Sequence, residues 1–407
     1  MGSWSKKHAM EKIFSKLKGD KWIWIIVIVL SVWSLLAVYS STGTLAYKEG
    51  RGTETFLIKH FTIIFAGLIL MYFSHLLDYR YYAGISKILM IITIPLLLYT
   101  LLFTDAVNDA NRWVTIPVIN QTFQTSDMAK LALITFLARM LTRKQENIKD
   151  VKRAFLPIMG SVCVVIILIA IANMSTAIML FAVSILLLII GRISIKQIAY
   201  VSIAGAFLLT LVVLLGPRRQ TYISRVETFL GKGEPDPDKE FQANQAKIAI
   251  ATGGIFGKGP GNSTQRNVLP HPYSDFIFAI IIEEYGAVGG VLLAIIYLVF
   301  MYRCIRIVTQ SPKAFGALLA AGLGFSLTIQ AFGNMAVAVG LGPVTGVPLP
   351  LVSMGGTSIL FTSLALGIIL SVSRNIEELK LRGREGKSTS TAKREDKVIV
   401  GEIPAVI

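Results

Sequence analysis

"FLPIMGSVCVVIILIAIANMSTAIMLFAVSILLLII", residues 155–190, contains no Asp, Glu, Lys or Arg. A helix needs about 20 mostly apolar residues to cross a bilayer, so this stretch suffices for two crossings, with 155–172 handing over to 174–190 at Asn173. The whole chain has the same character: 54% of its 407 residues are hydrophobic and 16% charged, and its mean hydropathy is +0.64. Ordinary soluble chains of this length do not reach such values. The composition predicts an all-α polytopic membrane protein.

Further apolar segments lie at 22–41, 56–75, 85–103, 127–141, 197–215, 276–301, 314–337 and 356–373, which with the first pair makes ten spans. Positive charge tests the count, because cytoplasmic loops are enriched in Lys and Arg. With ten spans, Lys6–Lys21, Arg143–Arg153, Arg192 with Lys196, Arg303–Lys313 and the segment from Arg374 onward all fall on one side. Both termini are therefore expected in the cytoplasm, and 42–55, 104–126, 216–275 and 338–355 on the outer face. The formal charge of +16 is explained by this topology beside anionic lipid and calls for no nucleic-acid partner. Cys163 and Cys304 lie far apart in apolar segments and read as buried thiols. Four scattered His residues form no metal or haem pattern. Three regions follow: a basic amphipathic N-terminus at 1–21 without a cleavage site, the membrane domain at 22–375, and a polar tail at 376–407 expected to be disordered.

The outer loop 216–275, between the seventh and eighth spans, is too long for a mere connection. Ile223, Val226, Phe229 and Leu230 recur at helical spacing beside Arg218, Arg219 and Arg225, as on an interfacial helix. "GEPDPD", 233–238, breaks that helix, and Phe241–Thr252 reads as another. "GGIFGKGPGN", 253–262, then supplies backbone able to approach a ligand closely.

Three constellations could carry chemistry. Asp275 stands at the start of the eighth span, where the bland reading is a helix cap. Glu283 and Glu284 follow roughly 12–13 Å deeper if the helix is uninterrupted, where two adjacent acids require partners or water. The second constellation is "DANRWVTIPVINQTFQTSDMAK", 109–130: Arg112 and Trp113 precede a proline-marked, β-branched stretch that cannot span, and Ser126, Asp127 and Lys130 open the fourth span. Asp127 and Lys130 share a helical face and can pair, or Lys130 can face a phosphate or Asp275. The third is "GLGPVTGVPLPLVSMGGTS", 340–358, whose irregular backbone is tolerated only when buried in protein or lining a wet cavity; Asn334 lies just before it. No P-loop or dinucleotide fingerprint is present. Carboxylates, bases and flexible backbone beside lipid suit a lipid-linked anionic substrate.

Together these motifs resemble the SEDS family of shape, elongation, division and sporulation proteins, over about residues 22–378. The resemblance is carried by "NRW" at 111–113, Ser126 and Lys130, "GKGPGNSTQ" at 257–265, "SDFIFAIIIEEYG" at 274–286 and "TGVPLPLVSMGGTS" at 345–358. "GNSTQ" is more similar to division-type than to elongation-type members. Departures are "PHPYSDF" for the usual "PEAHTDF", "QTSD" for "QPSE", and "ANMST" for "PDLGT".

The resemblance implies a peptidoglycan glycosyltransferase that polymerises lipid II at the outer face of the bacterial cytoplasmic membrane during division. It further implies a class B penicillin-binding protein and other division proteins as partners, with the nascent glycan as a bound product. Asp275 matches the family's essential aspartate and is assigned as general base. Lys130, Arg112, Trp113, Asp127, Arg225, Ser263, Gln265, Ser274 and Ser353 are expected to bind substrate, with Glu283, Glu284 and Asn334 supporting them from behind. No cofactor is expected to be built in, although a divalent cation, Mg or Mn, could accompany the substrate pyrophosphate. Rival readings are an elongation-type polymerase, a lipid II flippase and a non-catalytic scaffold.

Overall fold

The computed structural model describes residues 18–400, apart from 49, 51, 105–112, 117–120, 217, 232–236 and 271. A helix stands at each of the ten expected positions. In chain order, with the two loop helices included, these are α1 (Lys21–Ser41), α2 (Thr53–Leu76), α3 (Tyr79–Phe103), α4 (Thr125–Arg143), α5 (Leu156–Ala172), α6 (Met174–Ile190), α7 (Ile195–Leu215), α8 (Arg219–Leu230), α9 (Pro237–Gly253), α10 (Ile277–Gln310), α11 (Ala314–Ala338) and α12 (Thr357–Val400). Eight of the described helices are long and apolar enough to cross a membrane. Of the ten, α6 is shorter, and α4 carries Asp127, Lys130, Arg139 and Arg143. Those charges are tolerated because α4 is largely enclosed, with Ala129, Leu133, Leu137 and Ala138 wholly buried among its neighbours.

Polar punctuation in the sequence becomes helix caps. Asp20 accepts from the N–H groups of Trp22 and Ile23 to start α1, Asp78 from that of Arg80 to start α3, and Ser194 from that of Gln197 to start α7. Asn173 leaves the helical conformation at the end of α5 and accepts from Thr176 N–H, so one residue turns the apolar run of 155–190 into two helices. Asp150, in the charged connection before α5, accepts from the N–H groups of Arg153 and Lys152, which holds its carboxyl below the usual range.

Lys18 pairs with Glu378 at 3.1 Å, Gly19 N–H reaches Glu377 at 2.7 Å, and Asp20 is chelated by Arg303. The start of α1, the end of α10 and the late turns of α12 therefore share one face of the bundle, the termini end; α8 and α9 belong to the opposite, loop end.

Two features depart from expectation. A two-stranded antiparallel ribbon, β1 (Trp113–Ile116) and β2 (Gln121–Gln124), leads into α4, adding β structure in the proline-marked, β-branched stretch that was read only as unable to span. The basic N-terminus at 1–17 lies outside the described residues. The last helix, α12, is described through Val400. Finally, α10 is not one span from 276 to 301. Gly286 has φ 71° and ψ −175°, and there the chain doubles back. A Cβ on Gly290 would lie 3.5 Å from Phe278 Cζ and 2.8 Å from Ile282 Cγ1, whereas residues 278 and 290 of an unbroken helix stand about 18 Å apart. The limbs 277–285 and 287–310 thus form a helical hairpin.

Candidate active site

The hairpin decides the depth of every acid in the eighth segment. Glu284 accepts from Ser40 Oγ near the loop end of α1. Ser353 Oγ reaches Ser274 O at 2.6 Å, and its neighbour Val352 accepts from Ser34 Oγ at 2.8 Å. Ser34 is six residues, about 9 Å of helix, further into the bundle than Ser40. The expected order is therefore reversed: Asp275 lies deep and the two glutamates lie at the mouth. The physical reason is solvation, since the mouth is where a loop can supply partners to buried carboxylates.

That loop is the glycine-rich segment 253–265. Glu283, wholly buried, pairs with Lys258 at 2.5 Å and accepts from Ser263 Oγ, Thr264 Oγ1 and the N–H groups of Thr264 and Gln265. On the backbone, Lys258 N–H and Gly259 N–H bond to Glu283 O and Glu284 O, while Ala287 N–H and Val288 N–H bond to Gly254 O and Ile255 O. One loop thus satisfies the last carbonyls of one limb and the first N–H groups of the next, which the reversal at Gly286 would otherwise orphan. The glycines permit this approach: a Cβ on Gly257 would lie 2.2 Å from Glu284 O. The close contact foreseen for this segment is made with the hairpin's own backbone. Of the residues expected to touch substrate, Ser263 is buried and gives its hydroxyl to Glu283, and Gln265 gives Glu283 its main-chain N–H. Replacing Glu283 by alanine strands Lys258 and the loop hydroxyls; about 3–5 kcal/mol of destabilisation is expected, visible as a lower melting temperature of the detergent-solubilised protein.

At the deep end, Asp275 is held through its main chain. Asn334 Nδ2 donates to Asp275 O at 2.9 Å and to Val347 O at 2.8 Å, and Ser353 Oγ also accepts from Leu349 N–H at 2.8 Å. Helix capping does not occupy the carboxylate: α10 starts at Ile277 after Phe276, without a side-chain cap. Its described hydrogen-bond partner is Ser274 Oγ at 3.0 Å, and it faces Gly346, where a Cβ would sit 3.5 Å from Oδ2.

Lys130, on α4, meets α11 one turn away at Gln330. Its ammonium pairs with Asp127 Oδ1 at 2.8 Å and donates to Gln330 Oε1 at 3.0 Å. Gln330 and Asn334 share one face of α11, four residues or about 6 Å apart, so adjacent side chains on one helix tie the Lys130 cluster to Asp275. Among the described residues Asp127 Oδ2 is buried without a hydrogen-bond partner. A crevice of about 30 Å³ opens beside Asp127 and Lys130, next to an apolar groove of about 400 Å³ that shares Leu131 and Phe361 with it. Trp113, half-buried, stands across the ribbon from Gln124, whose amide reaches Ser126 Oγ at 2.8 Å. Arg225 lines a different cavity at the loop end, and Arg112 lies outside the described residues.

The irregular segment 345–355 is secured in the bundle by one side chain per carbonyl: Asn334 to Val347, Gln330 to Pro348, Tyr297 to Pro350 and Ser34 to Val352. Ser34 spends its hydrogen on Val352 O, so it accepts from His60 Nε2 at 2.7 Å. Sequence reading passed over Ser34, His60, Tyr297 and Gln330; the signal available was a polar group inside an apolar span.

A family model described as "Cell cycle protein", FTSW_RODA_SPOVE, matches residues 20–378. The chain is 33% identical over 365 residues to "Stage V sporulation protein E" of Bacillus subtilis, covering 88% of this chain and 98% of that protein. It is 28% identical over 382 residues to the "Probable peptidoglycan glycosyltransferase FtsW" of Trichlorobacter lovleyi, covering 93% and 99%. Among solved structures, a chain from work on "Structural coordination of polymerization and crosslinking by a peptidoglycan synthase complex" superposes with TM-score 0.71 at 23% identity, covering 88% of this chain and 99% of that one. Thermus thermophilus RodA superposes with TM-score 0.64 at 23% identity, covering 88% and 98%.

Proposed function

Since the chain belongs to the cell-cycle protein family of FtsW, RodA and SpoVE, we propose that it is a peptidoglycan glycosyltransferase that polymerises lipid II for division, with Asp275 as general base. The observation that supports this reading is the division of labour at Asp275: neighbouring side chains hold its backbone and that of Ser274, and among the described residues the carboxylate has one hydroxyl partner, Ser274. A group committed only to structure would have its oxygens spent on the fold, as Glu283 does.

The 4-hydroxyl of the acceptor sugar attacks the anomeric carbon of the donor; the new glycosidic bond forms as the bond to the lipid diphosphate breaks. Asp275 takes the hydroxyl proton. The leaving diphosphate gathers negative charge, which Lys130 is placed to stabilise, with Arg112 assigned to the same task from sequence alone. The apolar groove beside the Lys130 crevice accommodates the lipid chain. A divalent cation that accompanies the diphosphate would find Asp127 Oδ2, buried and without a hydrogen-bond partner among the described residues, beside Lys130. In this reading the loop end faces outward, the termini lie in the cytoplasm of a bacterial inner membrane, and a class B penicillin-binding protein crosslinks the product. The shared side of the Lys- and Arg-rich connections supports that orientation.

Incubating purified protein with lipid II tests the proposal: polymer marks the enzyme, lipid movement across vesicles without polymer a flippase, and neither a scaffold. Lys130→Met should slow turnover by about 10²-fold or more. Because that change also strands buried Asp127, the neutral pair Asp127→Asn with Lys130→Met is the control. It should recover thermal stability while turnover stays low; recovered turnover would return Lys130 to a purely structural role.

A further inference from the structure

Polymerisation brings two sugar-bearing substrates into one site, and the crevice beside Lys130, at about 30 Å³, holds neither sugar. A second cavity of about 380 Å³ opens at the loop end between α8, α9 and the turn after α11, within the size range of small-ligand sites. Its walls include Arg225 and Phe229 from α8, Glu240, Asn244 and Lys247 from α9, and Val344. Phe229 is an aromatic face left 46% exposed.

The cavity shares a wall with the candidate active site. Val344 packs on the apolar cluster containing Phe276, the neighbour of Asp275. Two residues on, Gly346 faces the Asp275 carboxylate. Lys247 lies along the same turn, its Cε 3.0 Å from where a Cβ on Gly340 would stand. The strip 340–346 therefore borders the cavity at Gly340–Val344 and the Asp275 carboxylate at Gly346.

The chemistry of the walls narrows the occupant. Five polar side chains among the described walls, Arg225, Thr228, Glu240, Asn244 and Lys247, make the cavity wrong for a lipid tail. Glu240 opposes a polyphosphate. What remains is a ligand that both donates and accepts, presents hydroxyl and amide groups to Asn244, Glu240, Lys247 and Arg225, and lays an apolar ring face on Phe229. Resting on the polymerase reading above, we propose that this cavity is a saccharide subsite that holds the glycan strand beside Asp275.

The test uses full-length protein in detergent micelles and a lipid-free tetrasaccharide of alternating N-acetylglucosamine and N-acetylmuramic acid, with binding followed by saturation-transfer NMR and titration. The wild type should bind it. Asn244→Ala and Lys247→Ala, both at exposed positions, should each weaken binding about tenfold, and their polymer made from lipid II should be shorter. Asn244→Trp, which fills the cavity, should abolish binding. Absence of binding by the wild type at millimolar tetrasaccharide, or equal binding by all three variants, overturns the subsite. The probe carries no diphosphate and cannot be a donor, so the two readings fail separately: wild-type protein that polymerises without binding the probe loses only the subsite, and protein that binds without polymerising loses the polymerase.

Discussion

Asp275→Asn should lower the rate of lipid II polymerisation by about 10²–10⁴-fold, the range that a positioned general base contributes, while the protein melts as the wild type does. The exchange is nearly isosteric and touches little of the fold: Asn334 grips the main-chain oxygen of residue 275, Ser353 grips that of Ser274, and both bonds survive a change of side chain. What is lost is the ability to accept a proton. Asp275→Glu keeps that ability but pushes a methylene toward Gly346, against which the aspartate already lies, so it too should be impaired, though less. Gel separation of the glycan products reads both variants, with thermal melts alongside. Polymerisation by Asp275→Asn above about a tenth of the wild-type rate would place the base elsewhere.

Gly286→Ala should be among the most damaging single methyl groups that can be added to this protein. The residue sits at φ 71°, ψ −175°, a region essentially reserved to glycine, with a penalty of about 1–3 kcal/mol for other residues. The added Cβ would also stand 2.1 Å from Ile255 O and 2.6 Å from Gly257 N. Those atoms are backbone and cannot swing aside. Relief requires the loop to withdraw, which breaks the bonds from Ala287 N–H to Gly254 O and from Val288 N–H to Ile255 O, at about 1 kcal/mol each. The limb carrying Asp275 is anchored through this turn, so polymerisation should fall together with the melting temperature. Gly84→Ala is the matched control: in α3 an added methyl meets nothing within 4 Å, and stability should hold or rise slightly. Equal melting temperatures for the two variants would remove the hairpin turn from the account of how Asp275 is placed.

The ten helices were legible because lipid imposes a long, nearly charge-free signal, and because Asn173 marks the handover within the apolar run of 155–190. Asp275, Lys130 and the segment 345–355 were likewise visible as polar or irregular chemistry where the bilayer makes both expensive. Depth was not legible. Hydropathy reads 276–301 as a single span, since the limbs of a hairpin inside a protein bundle are as apolar as one helix through lipid. Glu283 and Glu284 were therefore assigned below Asp275, and the structure puts them above it. Only the tertiary structure decided that the glycines of 253–259 serve the backbone around Gly286, that Gln330 and Asn334 join Lys130 to Asp275, and that the carbonyls of 345–355 find Ser34 and Tyr297. The reason is that these are pairings between segments distant in the chain: each requirement, a buried carboxylate or an orphaned carbonyl, is local, but its partner is chosen by packing.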